Sequence, residues 1–371
     1  MLLQLVLLLF ANPALPGMPA VQNPKDIYAA DHANQLSPVV KNFPSLIYVP
    51  NTGSSSVDVI DPKSFKIVGH FKVGRQPQHV TPSYDLKTLW VLSDLGDSLT
   101  RIDPATGERR ETVKVKDPYN MYYTPDGKFA IVVAERIHQL DFRDPVTMKL
   151  VDSLKVPCRG VDHMDFTADG RFLIASCEFS AELLKVDVAK REVVGTLMLK
   201  ADSEHGPTHH PRHSIEFNPD GMPQDVKTSP DGSVFYIADM VANGVYLVDP
   251  EAFRVIGFVP TGAGTHGLYA SRDSKVLYVS NRGEGSISVI DFATRKVVEK
   301  WQVPGGSPDM GGVSSDGKVL WLSGRYNKEV YAIDTQGGKL LARIRVGKGP
   351  HGLCVYPQPG RYSLGHTGVF R

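Results

Sequence analysis

The feature that most constrains the fold is an internal repeat with a period near 42 residues. A short apolar run that ends in aspartate occurs seven times, and the aspartates lie at Asp61, Asp103, Asp141, Asp187, Asp249, Asp291 and Asp334. The successive gaps are 42, 38, 46, 62, 42 and 43 residues, so one gap is about 20 residues too long. A period of this size is typical of propellers and solenoids, in which each repeat buries its faces only against its neighbours.

Each repeat divides into four short segments that are rich in β-branched and aromatic residues and are bounded by turn residues. No segment of comparable strength has a helical period. The first complete segment after the N-terminal region (46–51) is of the second type, and the last (351–356) is of the first type. The C-terminal strand therefore completes a blade whose other three strands come from the N-terminus. The prediction is an all-β, seven-bladed β-propeller with four-stranded blades, formed by one domain over residues 44–357.

The segments LIYVPN and LYVSN, with the units around them, resemble the YVTN/YncE-like seven-bladed propeller family. That family is related to the propellers of nitrous oxide reductase and of the d1-haem nitrite reductases. The resemblance covers about residues 44–357 and implies the fold. It implies little about function, because this fold supports many unrelated activities.

The charge balance and the N-terminal segment restrict partners and location. Lys and Arg total 41 and Asp and Glu total 40, which argues against a nucleic-acid-binding protein. Residues 2–10 are apolar apart from Gln4 but too few to span a bilayer. Residues 1–20 are therefore interpreted as a signal peptide or N-terminal anchor, with a buried strand as the alternative. We expect a secreted, periplasmic or cell-surface monomer with no further membrane span. Residues 21–43 form an N-terminal extension and residues 358–371 a C-terminal tail.

Histidines are the main candidate ligands. Four of them start first-type strands, and because such strands line the channel of a propeller, we expect these side chains to gather at one mouth: His79, His163, His266 and His351. The surplus residues form an insertion at 201–221 on the same face, which adds His209, His210 and His213. Imidazole is a common ligand of Zn, Cu, Fe and Ni. The resemblance to nitrous oxide reductase suggests copper or another transition metal, and haem is the weaker alternative because no Cys-x-x-Cys-His motif is present.

The predicted ligand-binding rim also contains charged residues: Asp162, Asp225, Asp309, Glu135, Glu178, Arg282 and Arg325. The two arginines occupy neighbouring blades. We interpret them first as surface groups paired with Glu284 and Glu329. The alternative is that they hold a carboxylate or a phosphate.

Other motifs have structural explanations. Most aspartates before Pro or Gly are turn residues. The G-x-G-x-x-G at 262–267 is followed by strands and not by a helix, so it is not a dinucleotide site. Cys158 and Cys177 lie in one blade and form either a disulfide or two buried thiols. Cys354 is predicted to lie in the core.

Three functions follow from this pattern. The first is a binding protein that holds a small ligand, a metal or cofactor, or a partner protein at the channel mouth. The second is a metal- or haem-dependent oxidoreductase or a factor that handles such a cofactor. The third is a lactonase-like hydrolase that uses Glu135 or Glu178 with a divalent cation. The sequence leaves open whether any reaction is catalysed.

Overall fold

The computed structural model describes residues 14–200, 220–366 and 368–371. Seven four-stranded antiparallel sheets, the blades, are arranged around a channel, which confirms the predicted fold. Blades are numbered in chain order, and within each blade the first strand lines the channel and the fourth lies outermost.

The first four blades contain the following strands. Blade 1 has β1 (Leu46–Asn51), β2 (Ser56–Asp61) and β3 (Lys66–Lys72) together with β28 (Cys354–Tyr356). Blade 2 has β4 (Pro77–Pro82), β5 (Leu89–Ser93), β6 (Ser98–Asp103) and β7 (Glu108–Lys114). Blade 3 has β8 (Asn120–Tyr123), β9 (Ala130–Ala134), β10 (Gln139–Arg143) and β11 (Leu150–Lys155). Blade 4 has β12 (Val161–Phe166), β13 (Phe172–Cys177), β14 (Glu182–Asp187) and β15 (Glu192–Met198).

The remaining three blades follow the same order. Blade 5 has β16 (Pro223–Thr228), β17 (Phe235–Asp239), β18 (Gly244–Asp249) and β19 (Arg254–Pro260). Blade 6 has β20 (Thr265–Ala270), β21 (Val276–Asn281), β22 (Ser286–Asp291) and β23 (Lys296–Gln302). Blade 7 has β24 (Pro308–Val313), β25 (Val319–Gly324), β26 (Glu329–Asp334) and β27 (Leu340–Arg345). The described helical structure is one 3₁₀ turn at Ala29–Asp31.

Ring closure depends on the two ends of the propeller. β28 pairs with β1 in antiparallel register, with Leu46 opposite Tyr356 and Tyr48 opposite Cys354. The C-terminal strand is therefore the innermost strand of a blade that begins near the N-terminus, as the order of segments predicts. Closure by radial repetition leaves only short, protected strand edges.

The core lies between the blades. Between blades 6 and 7, for example, Tyr278 and Trp301 pack with Leu322 and Tyr331 in one buried cluster. The first strands are buried along their whole length in most blades, whereas the outermost strands are largely exposed. Each blade thus buries apolar surface on both faces against its neighbours, which is the main stabilising term for a fold of this kind.

The segments outside the blades cover one end of the channel. The N-terminal segment runs over the turns that join first and second strands, where the Leu15 amide donates to Asp169 O and the Asn34 amide to Ser315 O. The C-terminal tail lies on the same end, which we call the turn face, and the Tyr123 amide donates to Leu364 O. Residues 1–13 of the predicted leader lie outside the described residues. Among the residues that are described, no helix is long and apolar enough to cross a membrane.

Candidate functional site

Four first-strand histidines converge in the channel. His79, His163 and His266 belong to β4, β12 and β20, and His351 lies just before β28; all four are buried. Successive ring centroids are 5.4 Å apart from His79 to His163, 6.4 Å from His163 to His266, 6.0 Å from His266 to His351 and 4.9 Å from His351 to His79. The propeller therefore brings together side chains that are far apart in sequence, because every first strand lines the same channel.

A fifth histidine comes from the C-terminal tail. The ring of His366 lies 4.8 Å from that of His163 and 5.1 Å from that of His79, and it is buried. The tail crosses the turn face, so His366 joins the other imidazoles from the opposite end of the channel. Sequence reasoning missed it because it lies outside every repeat. The only available signal was its residue type in a tail that is otherwise rich in Gly and apolar residues.

These five side chains, the histidine cluster, are held in the neutral state. Burial lowers the pKa of His79, His266, His351 and His366 well below the ordinary value, and neighbouring imidazoles or cations lower it further. Burial, followed by the charge of Lys227, lowers the pKa of His163 to about 3. A neutral imidazole has a lone pair on one ring nitrogen, which is the form that binds a metal ion.

Several nitrogens of the histidine cluster have no hydrogen-bond partner in the described part of the chain. They are both ring nitrogens of His79, Nε2 of His163 and of His366, and Nδ1 of His351. His163 Nε2 is 3.2 Å from Asp162 Oδ1, but the two are not aligned for a hydrogen bond. A buried polar group without a partner costs on the order of 1–3 kcal/mol, so a set of them in one place marks a candidate ligand site.

Two groups of three residues have ligand atoms close enough to share an ion. His266, Asp309 and His351 form the first group, and within it the ligand atoms all lie within 4.8 Å of one another. His163, Asp225 and His366 form the second, with the same spacing. His79 contacts both groups through the rings of His351 and His366.

The first group has the more varied set of donors. His266 Nδ1 lies 3.2 Å from Asp309 Oδ1 and 3.1 Å from the thioether sulfur of Met310. His351 Nε2 lies 3.7 Å from Asp309 Oδ2, an oxygen with no hydrogen-bond partner in the described residues. Imidazole, carboxylate and thioether groups thus converge on one small region.

The ligand atoms of the second group make more hydrogen-bond contacts with the surrounding protein. The Asn120 amide nitrogen lies 3.1 Å from His163 Nδ1 and 3.4 Å from His366 Nδ1. Both oxygens of Asp225 accept backbone amides, and burial raises the pKa of this carboxyl to about 6 even though Lys227 opposes the shift. Because both oxygens of Asp225 already accept backbone amides, whereas Asp309 Oδ2 has no partner in the described residues, this group is the poorer metal site.

Three carboxyl groups also interact with one another at the site: Asp162, Glu135 and Glu178. Burial raises the pKa of Asp162, and the charges of Glu178 and Glu135 raise it further. Burial likewise raises the pKa of Glu135 and of Glu178. No interacting set of acids was evident in the sequence, because Glu135 follows β9, Asp162 lies on β12 and Glu178 follows β13, so no local pattern links them.

The structure corrects the first interpretation of the two arginines. Arg282 does not pair with Glu284: its Nη1 lies 3.1 Å from Asp309 Oδ1, and Glu284 instead pairs with Lys300. Arg325 does not pair with Glu329, which faces Arg343 at 3.6 Å. The prediction was wrong because sequence proximity is a poor guide to partners when a loop folds inward over a channel.

The remaining sequence predictions have different outcomes. His209, His210 and His213 lie outside the described residues. Cys158 and Cys177 form a disulfide, one of the two alternatives, and Cys354 is a buried free thiol in the core.

Fold and site together define a closed seven-bladed propeller with a histidine-lined channel. The sequence profile of the YNCE-like beta-propeller family matches residues 29–145 and 218–360. These segments make up more than half of the chain, which therefore belongs to the YNCE-like beta-propeller family.

One curated relative is similar over part of its length. Antigen Lp49 of Leptospira interrogans serogroup Icterohaemorrhagiae serovar copenhageni is 30% identical over 168 residues. The match covers 39% of this chain and 36% of that protein. The chain thus spans little more than a third of the relative.

Solved structures show the same architecture at low identity. Kuenenia stuttgartiensis hydrazine synthase matches with a TM-score of 0.65 and 19% identity, over 81% of this chain and 98% of that one. A putative 6-phosphogluconolactonase from Bacteroides uniformis matches with a TM-score of 0.62 and 17% identity, over 84% of this chain and 99% of that one. The dihydro-heme d1 dehydrogenase NirN matches with a TM-score of 0.60 and 16% identity, over 91% of this chain and 82% of that one. At these identities the likeness shows the fold alone.

Proposed function

We propose that this protein binds a transition-metal ion, copper by preference, at the group formed by His266, His351 and Asp309. His79 is the nearest further donor, since its ring contacts that of His351 and neither of its nitrogens has a described partner. The observation that carries the proposal is the convergence of His266, His351 and Asp309, whose ligand atoms lie within 4.8 Å of one another. The group also holds two buried atoms without a hydrogen-bond partner in the described residues, His351 Nδ1 and Asp309 Oδ2. Metal coordination would satisfy them, whereas no protein group in the described residues does.

The donor set supports a borderline or soft metal. Imidazole suits Zn, Cu, Fe and Ni, and a thioether such as that of Met310 adds a preference for copper. Ca²⁺ and Mg²⁺ prefer oxygen ligands, of which this group has only those of Asp309. The carboxylate and His266 are already held, by Arg282 and by Met310 respectively, which orients them toward the centre.

An oxidoreductase is the second candidate. If His266, His351 and Asp309 alone bind the ion, a coordination position stays open, which is the arrangement of catalytic rather than structural sites. Copper with a thioether nearby is a redox-competent combination, and NirN, a structural neighbour, is named as a dehydrogenase. An absorption spectrum of the native protein separates copper from haem.

A lactonase-like hydrolase is the third candidate. The interacting carboxyls Asp162, Glu135 and Glu178 support it, since raised pKa values suit general acids, and one structural neighbour is named as a putative 6-phosphogluconolactonase. Turnover of a lactone that depends on a divalent cation, and that Glu178→Gln abolishes, would favour this function over simple binding.

We also propose that the protein is exported. The Cys158–Cys177 disulfide supports this location, because such bonds are rare in reducing compartments. Mass spectrometry of the protein from cell fractions tests this proposal. We expect a mature chain that lacks the leader and is found outside the cytoplasm. A full-length chain found in the cytoplasm would contradict export.

The test of metal binding uses purified protein stripped with a chelator. Titration with Cu²⁺ and with Zn²⁺, followed by calorimetry and elemental analysis, should give one tightly bound ion. Replacing His351 by Ala should weaken binding by more than the roughly 10- to 100-fold that follows loss of an outer partner of a metal ligand. His351→Gln is the second variant in case the alanine protein does not fold.

The matched control is His70→Gln. His70 lies on the outermost strand β3, where it contacts Asp58, so its loss should leave metal binding in the channel unchanged. Equal metal binding by His351→Ala and wild type, with both folded, would contradict the proposal.

A further inference from the structure

The structure contains two arginines at the edge of the histidine cluster in equivalent positions of neighbouring blades. Arg282 directly follows β21 and Arg325 directly follows β25. Both therefore project from the loop between the second and third strands, at the end of the channel where the first strands begin. Arg282 is buried and Arg325 is partly buried.

The guanidinium of Arg282 is fully engaged in contacts with other side chains of the protein. Its Nη1 donates to Asp309 Oδ1 at 3.1 Å, its Nη2 lies 2.7 Å from the sulfur of Met240, and its guanidinium stacks over the ring of Tyr326 at 5.4 Å. Its charge is thus balanced by Asp309. These contacts fix the guanidinium beside His266.

The guanidinium of Arg325 lacks such contacts. Its Nη1 is enclosed by protein and has no hydrogen-bond partner among the described residues. No carboxylate of those residues forms an ion pair with it either, since Glu329 faces Arg343 instead. Arg325 is nevertheless close enough to His351 and to His79 for its charge to act on both imidazoles.

The nearby acids do not balance this charge. Asp309 is paired with Arg282, whose Nη1 lies 3.1 Å from its Oδ1. Arg325 therefore remains without a paired carboxylate in the described residues. An enclosed guanidinium nitrogen without an anion is a costly arrangement in a buried site.

We infer that the site takes an oxyanion, a carboxylate or a phosphate group. The oxyanion binds to Arg325 and extends from there toward the proposed metal site at His266 and His351. Guanidinium groups bind such anions through paired, charge-assisted hydrogen bonds. The inference deepens the proposed function and rests on it for the metal, because it names the chemical class of the ligand at that site.

The test is a titration of metal-loaded protein, at measured and equal metal occupancy, with inorganic phosphate and with acetate. At least one of the two should bind, and which one binds identifies the source of the oxyanion. Arg325→Gln should weaken that binding roughly 10- to 100-fold, the equivalent of one lost charge-assisted hydrogen bond or pair. Arg325→Lys, which retains the charge, should retain part of the affinity.

The control is Arg345→Gln, which removes the same charge from an exposed position at the end of β27 in the same blade. It should leave anion binding unchanged. Equal weakening by both substitutions would show only general electrostatic attraction and would overturn the inference. Loaded wild-type protein that binds neither anion would also overturn it while leaving the metal proposal intact, whereas failure to bind metal at all would refute the proposed function itself.

Discussion

At the residue scale, His163 shows how burial determines the chemistry of the channel. The side chain is buried, Asn120 and Tyr122 lie against its Nδ1, and the charge of Lys227 acts on it. A charged imidazole is therefore disfavoured, and its pKa falls to about 3. The same cause keeps the other channel histidines neutral and thus available as ligands.

This shift predicts a pH-dependent contribution to stability in metal-free protein. Unfolded His163 has a pKa near the ordinary value of about 6.5, so below that pH the unfolded chain binds a proton that the folded chain does not. The contribution of His163 to the free energy of unfolding is therefore complete above pH 6.5. It is lost as the pH falls toward the pKa of His163 in the folded protein. By this linkage it should decrease by about 2 kcal/mol between pH 8 and pH 5.

Urea unfolding of wild type and of His163→Gln at pH 8 and pH 5 checks this. The difference in the free energy of unfolding between the two proteins should shrink by about 2 kcal/mol at the lower pH. A difference that stays constant would show that folding does not lower the pKa of His163 and would contradict the prediction.

At the element scale, the C-terminal tail is part of the site. Leu364, Val369 and Phe370 are buried, and the Arg371 guanidinium lies 3.1 Å from Asp165. These contacts hold His366 in the channel. The tail therefore joins the turn face to the histidine cluster at the other end of the first strands.

Gly365 is the position where this docking is most sensitive. Its φ is +114°, and an added Cβ would lie 2.4 Å from Met121 O. Gly365→Ala should therefore displace the tail and lower the free energy of unfolding by about 1–3 kcal/mol. Gly337→Ala is the control, since no atom lies within 4 Å of a Cβ added there. Urea unfolding should separate the two variants, and equal stability would mean that the tail is not docked as described.

The entry to blade 4 offers a second prediction at this scale. The disulfide joins Cys158, just before β12, to Cys177 at the end of β13, and burial raises the pKa of the Cys354 thiol. Native protein should therefore show no thiol that reacts with a thiol-specific chromogenic reagent, because the unpaired thiol is inaccessible. Denatured protein should show one, and denatured and reduced protein all three. Three reactive thiols without reduction would exclude the disulfide.

At the scale of the whole molecule, the period of the sequence predicts the architecture because each blade repeats the same local pattern. The order of segment types at the two ends predicts ring closure, and the position of His79, His163, His266 and His351 at the start of first strands predicts that they meet. His366 was not predictable, since the tail repeats nothing and its place depends on tertiary contacts alone.

The charged partners were not predictable for a related reason. Asp309 and Arg282 are 27 residues apart and belong to different blades, so no local pattern links them. Glu284 and Glu329 were closer in sequence, but the loops that carry the arginines turn toward the channel. Partner choice in this propeller is thus a property of the ring and not of the repeat.

The central claim is that the channel histidines bind a metal ion, and anomalous diffraction from crystals of copper-loaded protein, recorded at the copper absorption edge, tests it most directly. We predict one strong anomalous difference peak among His266, His351 and Asp309. A loaded crystal with no peak in the channel, or with copper bound only at exposed histidines such as His70, would contradict the account.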